Sequence, residues 1–208
     1  MSESYKNIAK KLIPMLEKRN FDVYYCENGD EAANKAMSLI DKNDSVSWGG
    51  SYTVSQIGLI EKLRTSGYNL IDREKGGSAE ERAEIMRQGL LADTFLMSSN
   101  AVTEDGILVN IDGNGNRVAA MCFGPKSVII IIGMNKVCPT LEEAEDRAHN
   151  IAAVKNAERF GLSKTGCAHG KCVNCLSDEC MCSYIVKTRR SKEKGRIKII
   201  LVGESLGF

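Results

Sequence analysis

The sequence predicts an α/β protein built on an open, mainly parallel sheet with helices on both faces. Short segments of strand character alternate with segments of helical periodicity over 4–98, which is the pattern of a parallel sheet covered by helices. The isoleucine-rich run at 127–133 shows no polar alternation, as in a strand buried on both faces. With 208 residues, the chain is long enough for one domain with a sizeable core, and we expect a single domain over 1–208.

The alternation begins at the amino terminus. Ile8, Leu12 and Leu16 recur at helical spacing and predict a first helix over 4–19. The Asn28-Gly29-Asp30 turn is suited to capping a second helix. Strands are predicted in chain order at 21–26, 45–48, 69–72, 94–98, 127–133 and 197–202.

Capping patterns place the later helices. Thr53 with Gln56 fits a capping box for the helix after the strand at 45–48, and another helix opens at 78–81. The longest helix is predicted to start with the Thr140 and Glu143 capping box and to stop at Gly161.

Between these helices, the segment 102–120 is rich in turn residues. An apolar stretch at 107–111 separates Asp105-Gly106 from the Asp112-Gly113-Asn114-Gly115 turn. Two such turns around a short apolar run predict a β-hairpin or a meander.

Charge and composition exclude several classes of protein. Lys plus Arg number 28 and Asp plus Glu number 27, which argues against a nucleic-acid binder and against a membrane-surface protein. The longest apolar run, 128–132, is far shorter than the roughly 20 residues of a membrane-spanning helix. The amino terminus has no apolar signal core, so we expect a cytoplasmic protein.

The glycine corner Gly49-Gly50-Ser51 joins a predicted strand to a predicted helix. Glycines let the backbone approach a ligand closely, and a helix start offers N–H groups to a carboxylate or phosphate. Ligands of parallel α/β sheets lie at the carboxyl ends of strands, where this corner is placed. The alternative is a tight turn in which Ser51 only caps the helix.

A second group of candidate residues surrounds the predicted hairpin. Glu104 could act as a base or a nucleophile. Asp, Asn and Gly are also the ordinary residues of turns, so Glu104 and Arg117 carry the functional interpretation better than their neighbours. The candidate ligand-binding residues here are Asn110, Asp112, Asn114, Asn116 and Arg117.

Five of the eight cysteines fall within 167–182, in the pattern C-x4-C-x2-C-x4-C-x-C. Without a secretion signal, such a cluster favours a zinc ion or an iron–sulfur cluster over disulfides. The alternative is a reduced loop without metal. Cys180 and His169 are further ligand candidates, whereas His149 is interpreted as a surface or packing residue. The basic stretch 187–198 lacks interleaved aromatics and is expected to be a solvated loop.

Two segments resemble the signatures of the LUD domain family, the family of the lactate-utilisation proteins. The first is Ser47-Trp48-Gly49-Gly50-Ser51 followed by Gln56-Ile57-Gly58-Leu59. The second comprises Asn100-Ala101-Val102-Thr103-Glu104-Asp105-Gly106 and 110–117. The resemblance runs from the first helix to Val202-Gly203-Glu204.

The resemblance implies a fold similar to that of ribose-phosphate isomerases and CoA transferases (NagB/RpiA/CoA transferase-like). It also implies a role in oxidising L-lactate to pyruvate together with iron–sulfur partner subunits. Glu104 resembles in setting the nucleophilic glutamate of CoA transferases, although Asp105 stands where their motif has Asn. A family-like cysteine tail, C-x4-C-x2-C-x6-C, selects as metal ligands Cys167, Cys172, Cys175 and Cys182.

Three functions follow as expectations. The first is binding of a small anionic metabolite between the glycine corner and the hairpin, in hydroxy-acid metabolism. The second is a non-catalytic accessory protein that senses metal or redox state through the Cys-rich and basic segment 164–194. The third, from fold analogy, is a transferase or isomerase of CoA thioesters or sugar phosphates. No nucleotide cofactor, nucleic acid or membrane partner is expected, and a homo-oligomer is left open.

Overall fold

The computed structural model describes residues 2–208, with side chains from residue 4 onward. The strands are β1 Asp22–Cys26, β2 Ser45–Trp48, β3 Asn69–Ile71, β4 Thr94–Met97, β5 Ala101–Thr103, β6 Leu108–Asp112, β7 Ser127–Gly133, β8 Val137–Cys138, β9 Tyr184–Thr188 and β10 Ile197–Val202. The helices are α1 Ser2–Glu17, α2 Gly29–Ser38, α3 Tyr52–Gln56, α4 Leu59–Arg64, α5 Ala79–Gln88, α6 Asn116–Cys122, α7 Leu141–Arg147 and α8 Ala153–Phe160.

Six strands form the main sheet, in the order β1-β10-β7-β4-β2-β3, and every neighbouring pair is parallel. All six correspond to segments predicted as strands. The carboxyl ends of the six strands therefore lie along one edge of the sheet. The predicted class, an open parallel α/β sheet, is confirmed.

The strand β7 shows how the sheet is buried on both faces. Ile129 and Ile131 pack with α2, α3 and α4 on one face, while Val128, Ile130 and Ile132 pack with α1 and α6 on the other. Alternate side chains of a strand point to opposite faces, so a continuous apolar run is what two covered faces require. Helices on both faces are thus also confirmed.

A second sheet stands beside the first, in the order β8-β5-β6-β9. The strands β5 and β6 are the predicted hairpin, turning through Asp105-Gly106. The hairpin is extended by a further strand. In a segment that the sequence suggested was a loop, β9 pairs antiparallel with β6. The second predicted turn leads into the helix α6, which starts after Gly115 in the left-handed conformation.

The long helix predicted from Thr140 to Gly161 is present, with an irregular centre. The helices α7 and α8 are joined by a π-helical turn, Ala148–Ala152, and Gly161 ends α8 in the left-handed conformation. The Thr140 side chain accepts a hydrogen bond from the Glu143 N–H, as the capping box predicted. A π turn often occurs beside a functional site, and this one borders two cavities.

Candidate functional site

A cleft of about 440 Å³ opens at the carboxyl ends of β2, β3, β4 and β7, against α8 and the loop before β9. This is where parallel α/β sheets bind ligands. Its polar wall includes Gly50, Ser51, Thr53, Arg73, Ser98, Ser99, Asn100, Asp112, Asn114, Asn116, Arg117, Lys136, Asn156 and Arg159. The rest of the wall consists of Tyr52, Ile111, Gly113, Ala148, Ala153, Phe160, Leu162, Asp178, Glu179, Cys180, Met181, Ser183 and Phe208. The glycine corner and the end of the hairpin therefore meet, as the sequence predicted.

Arg117 organises this meeting point from within the protein. Its Nη1 donates to the Ser98 carbonyl oxygen (2.7 Å) and to Asn110 Oδ1 (2.8 Å). Its Nη2 donates to the Ile111 carbonyl oxygen (2.6 Å) and to Asn100 Oδ1 (3.1 Å). These four bonds tie β6 and the loop between β4 and β5 to one buried guanidinium.

The last donor of Arg117 faces a carboxylate. Its Nε lies 3.5 Å from Asp112 Oδ2, and that carboxylate also accepts hydrogen bonds from three backbone N–H groups around the start of α6. A Cβ at Gly49 would lie only 2.9–3.2 Å from three side-chain carbons of Arg117. Gly49 is therefore a packing requirement of Arg117. With every N–H of Arg117 facing an oxygen of the chain, direct contact of this side chain with a ligand stays a prediction.

Lys136 is a cation that sequence reasoning missed. It follows β7 in the 3₁₀ turn Met134–Lys136 and is only 2% exposed. Its Nζ donates to the hydroxyl oxygens of Thr53 (2.8 Å) and Ser98 (3.0 Å). Burial, followed by the positive charges of Arg147 and Arg117, holds the pKa of Lys136 well below its ordinary value.

Two more guanidinium groups line the cleft. Burial and then the neighbouring charge of Arg73 lower the pKa of Arg159. Over the described side chains, no carboxylate forms an ion pair with Arg73, Lys136 or Arg159. Three acids belong to the wall: Asp112 faces Arg117, Glu179 accepts from the N–H groups of Ser163 and Lys164, and Asp178 is ion-paired with none of the three cations. The guanidinium groups of Arg73 and Arg159 therefore line the cleft without an ion-paired carboxylate, although three carboxylates belong to its wall.

The glycine corner is adapted to Arg73 as well. A Cβ at Gly50 would lie 2.9 Å from Arg73 Nη2. The Ser51 side chain caps α3 by accepting from the Val54 N–H (3.3 Å). Because α3 has only five residues, its dipole is small, and the side-chain cations are the stronger attraction for an anion.

The remaining predicted residues divide by position. Asn114 and Asn116 line the cleft, whereas Asn110 is fully buried behind it and bonds Ser99 Oγ and Arg117. Glu104 is exposed in the turn between β5 and β6, at the end of the hairpin away from the cleft, and is not part of its wall. The structure therefore does not bring Glu104 to the other candidates.

A second cavity, of about 320 Å³, contains the five clustered cysteines. Cys167, Cys172, Cys175, Cys180 and Cys182 line this cysteine cavity together with His149. His149 is half-buried, and its Nδ1 lies 3.5 Å from Cys172 Sγ. His169 is exposed and stands outside the cavity wall. The four predicted ligands are thus brought together, with Cys180 and His149 beside them.

The thiols influence one another strongly. Burial, followed by the nearby thiols, raises the pKa of Cys167 to about 11 and that of Cys182 to about 12. Backbone hydrogen bonds from Gly166 and Ser177 lower the pKa of Cys175. Within the described residues, no three Cys, His, Asp or Glu side chains are arranged around a single ion. The donor set nevertheless suits zinc or an iron–sulfur cluster, since thiolates and imidazole are their common ligands.

The two cavities share a wall. Cys180, Met181 and Ser183 line both the cleft and the cysteine cavity. The helical segment Ala148–Phe160 also borders both, with Asn156 on the cleft and His149 on the cysteine cavity. A single layer of residues therefore separates the two cavities, so a conformational change in the cysteine loop, residues 165–183, would also move the wall of the cleft.

A match to a family model shows to which protein family the chain belongs. The model of the LUD domain matches residues 9–202, nearly the whole chain. The chain belongs to the LUD domain family. The matched range contains both the cleft residues on the strand ends and the cysteine loop of this LUD domain.

Several solved structures are similar to this chain. A DUF162 family protein from Deinococcus radiodurans matches with a TM-score of 0.55 at 13% identity, over 95% of this chain and 98% of that one. Ribose 5-phosphate isomerase A from Neisseria gonorrhoeae matches at 0.35 and 20% identity, over 53% and 52% of the two chains. The eIF2B beta protein from Chaetomium thermophilum matches at 0.39 and 21%, over 55% and 44%. At these identities the likeness concerns the fold alone.

Two negative findings complete the comparison of the LUD domain. No curated protein sequence matches the chain significantly. Over residues 2–208, no helix is both long enough and apolar enough to cross a bilayer.

Two of the three missed cations of the LUD domain carried a usable signal in the sequence. Arg73 follows β3 and Lys136 follows β7, each just past a strand that the sequence did predict. Charged residues after a buried parallel strand were therefore a usable signal, because strand ends form the binding edge. Arg159 had no such signal, since it reaches the cleft from α8.

Proposed function

We propose that this LUD domain binds a small carboxylate metabolite in the cleft, as part of the oxidation of L-lactate or a related 2-hydroxy acid. The observation that carries the proposal is the pair of guanidinium groups of Arg73 and Arg159, which line one cleft without an ion-paired carboxylate. An anion from solution supplies the missing counter-charge.

The electrostatic argument turns on burial. A buried charge without a partner costs several kcal/mol, and a buried amine such as Lys136 gives up its proton to avoid that cost unless an anion binds beside it. Lys136 has only hydroxyl partners, and Arg147 behind it donates only to the carbonyl oxygens of Asn135 and Asn100. The inner end of the cleft is accordingly the most favourable place for a carboxylate.

Size and polarity favour a small polar ligand. A volume of about 440 Å³ falls in the range of small-molecule sites, roughly 300–1,000 Å³. Asn114 and Asn116 line the same cleft with amides that can meet a hydroxyl or carbonyl group. Membership in the LUD domain family supports a 2-hydroxy acid such as lactate as that ligand.

For the cysteine cavity we propose one zinc ion or one iron–sulfur cluster, held by Cys167, Cys172, Cys175 and Cys182. Four thiols and His149 around a common cavity support this assignment. A bound cluster would supply one-electron chemistry, and a zinc ion would supply structure alone. Iron–sulfur oxidoreductase subunits are the proposed partners, to be sought by anaerobic co-purification, with self-association measured on the same material.

Calorimetric titration tests the cleft. L-lactate and pyruvate are titrated into the chain, with ribose 5-phosphate, an acyl-CoA and inorganic phosphate as competing classes. We expect a carboxylic acid to bind, and the Arg73→Met variant to bind it about tenfold more weakly, since one charged hydrogen bond contributes about 1.5–3 kcal/mol. The matched control is Lys192→Met, an exposed lysine in the loop before β10.

The outcomes separate the three function classes. Binding of only the sugar phosphate or the acyl-CoA would replace the hydroxy-acid assignment by a transferase or isomerase. If no anion binds and Arg73→Met changes nothing, the cleft is not a metabolite site. The non-catalytic accessory role is the second candidate, favoured by the wall that Cys180 and Met181 share between the two cavities.

A further inference from the structure

We propose that the amine of Lys136 is a nucleophile that forms an imine with the carbonyl carbon of a 2-oxo acid bound in the cleft. The inference rests on the proposed function and deepens it, because it assigns a covalent step to one residue of that site. A 2-oxo acid is the product of oxidising a 2-hydroxy acid, so it belongs to the same ligand class.

The first support is the placement of the amine. Lys136 lies at the carboxyl end of β7, a central strand of the main sheet, and lines the cleft while being 2% exposed. Both partners of its Nζ are hydroxyl groups, those of Thr53 and Ser98, at 2.8 and 3.0 Å. A lysine kept for structure or solubility would instead carry a carboxylate partner or face water.

The second support is the way the carboxyl-terminal segment closes over this amine. A Cβ at Gly207 would lie 2.1 Å from Thr53 Oγ1 and 3.1 Å from Lys136 Nζ, so only glycine fits there. The Gly207 N–H donates to Gln56 Oε1 (2.8 Å), and the Leu206 N–H donates to Asn135 Oδ1 (3.0 Å). The surroundings of Nζ are therefore built by three separate segments.

The third support is that these partners suit a neutral amine. Burial and the adjacent cations Arg147 and Arg117 lower the pKa of Lys136, and a desolvated lysine beside another cation is a recognised way to activate an amine. The Ser98 hydroxyl donates to the Ser99 carbonyl oxygen (3.3 Å), so it accepts from Nζ. The Thr53 hydroxyl is able to donate to the nitrogen lone pair once the amine is neutral.

The reaction needs no further reagent. The Nζ lone pair attacks the carbonyl carbon, and the carbonyl oxygen becomes the hydroxyl of a carbinolamine. One amine proton moves to that oxygen, and the hydroxyl then leaves with the remaining N–H proton as one water, so the neutral imine forms with atoms and charge balanced. Arg73 and Arg159 in the same cleft are available for the carboxylate of the oxo acid.

Reductive trapping tests the inference. The full chain is incubated with pyruvate and sodium cyanoborohydride near pH 7, and the modified residue is located by peptide mass spectrometry. An exposed lysine with a pKa of about 10.4 is neutral in roughly one molecule in a thousand at this pH, so we expect Lys136 to be labelled on the order of a hundredfold more than any exposed lysine. Lys136→Arg should abolish the label, and Lys126→Arg, at an exposed lysine, should not.

Calorimetry on the wild-type chain separates the two proposals. If pyruvate binds but Lys136 carries no label, the imine is ruled out and the metabolite site stands. If no acid binds, both fail. Equal labelling of exposed lysines and Lys136 also overturns the imine. Mapping the label on the wild-type chain keeps the test decisive even if Lys136→Arg folds poorly, which circular dichroism would show.

Discussion

The cleft and the cysteine cavity lie on either side of the segment 180–183, yet they are built in different ways. The cleft takes most of its polar groups from segments that follow strands of a sheet buried on both faces, and Arg117 ties the loop after β4 to β6. The cysteine cavity is lined mainly by residues 165–183, with His149 and Ile185, and within 165–183 the structure has only a 3₁₀ turn at Gly166–His169. The comparison indicates that the cleft keeps its shape without a ligand, whereas the geometry of the thiols depends on what they hold.

The largest expected effect is on the cleft side. Arg117→Met would leave the buried oxygens of Ser98, Asn110 and Ile111 without this donor and would remove the cation beside Asp112. Breaking a buried ion pair in this way typically costs about 3–5 kcal/mol, and we expect that loss in the free energy of unfolding, measured by urea denaturation. The matched control, Arg190→Met, removes an exposed arginine and should change the value by less than about 0.5 kcal/mol. A loss below about 1 kcal/mol for Arg117→Met would mean that the network does not hold the strand ends together.

The elements of the fold also differ in how well the sequence predicts them. The strand at 45–48 and the run at 127–133 were predictable, because local apolar patterning reflects their burial in the sheet. The helix α6 was missed because it begins after Gly115, a glycine with no capping side chain, in a segment rich in turn residues. The strand β9 was missed because it is half exposed and gains its hydrogen bonds only by pairing with β6.

The candidate site was predictable to a similar extent. Gly50, Asn114 and Asn116 were recognised from local motifs and do line the cleft. The role of Arg117 as an internal tie depends on four oxygens from distant segments, which no local pattern contains. Burial of Lys136 likewise follows from the packing of Thr53 and Gly207 over it, contacts that join residues far apart in sequence.

Lys136 is expected to have a smaller effect on the free energy of unfolding than Arg117, and its effect depends on pH. Because burial lowers the pKa of Lys136 in the folded chain, the unfolded chain binds more protons from that lowered pKa up to about 10.4. Stability due to this group therefore rises with pH across that window. We expect the free energy of unfolding of wild type, minus that of Lys136→Met, to increase by at most about 1.4 kcal/mol per pH unit. Urea denaturation at several pH values measures this difference. A difference that stays flat would mean that the amine is charged in the folded chain.

The smallest effect on stability is expected in the cysteine cavity without metal. Cys175→Ser and the control Cys122→Ser, an exposed cysteine outside that cavity, should each change the free energy of unfolding by less than about 0.5 kcal/mol. After anaerobic loading with zinc or with iron and sulfide, Cys175→Ser alone should lose metal, measured as metal per chain.

Removing the metal from the wild-type chain with a chelator should then raise hydrogen exchange over 164–183 and leave β7 protected, because metal binding there orders a loop and not the sheet. Unchanged metal content in Cys175→Ser would remove that thiol from the site. If hydrogen exchange also rises in β7, the main sheet depends on the cysteine loop for its stability, which would contradict the contrast between the two cavities.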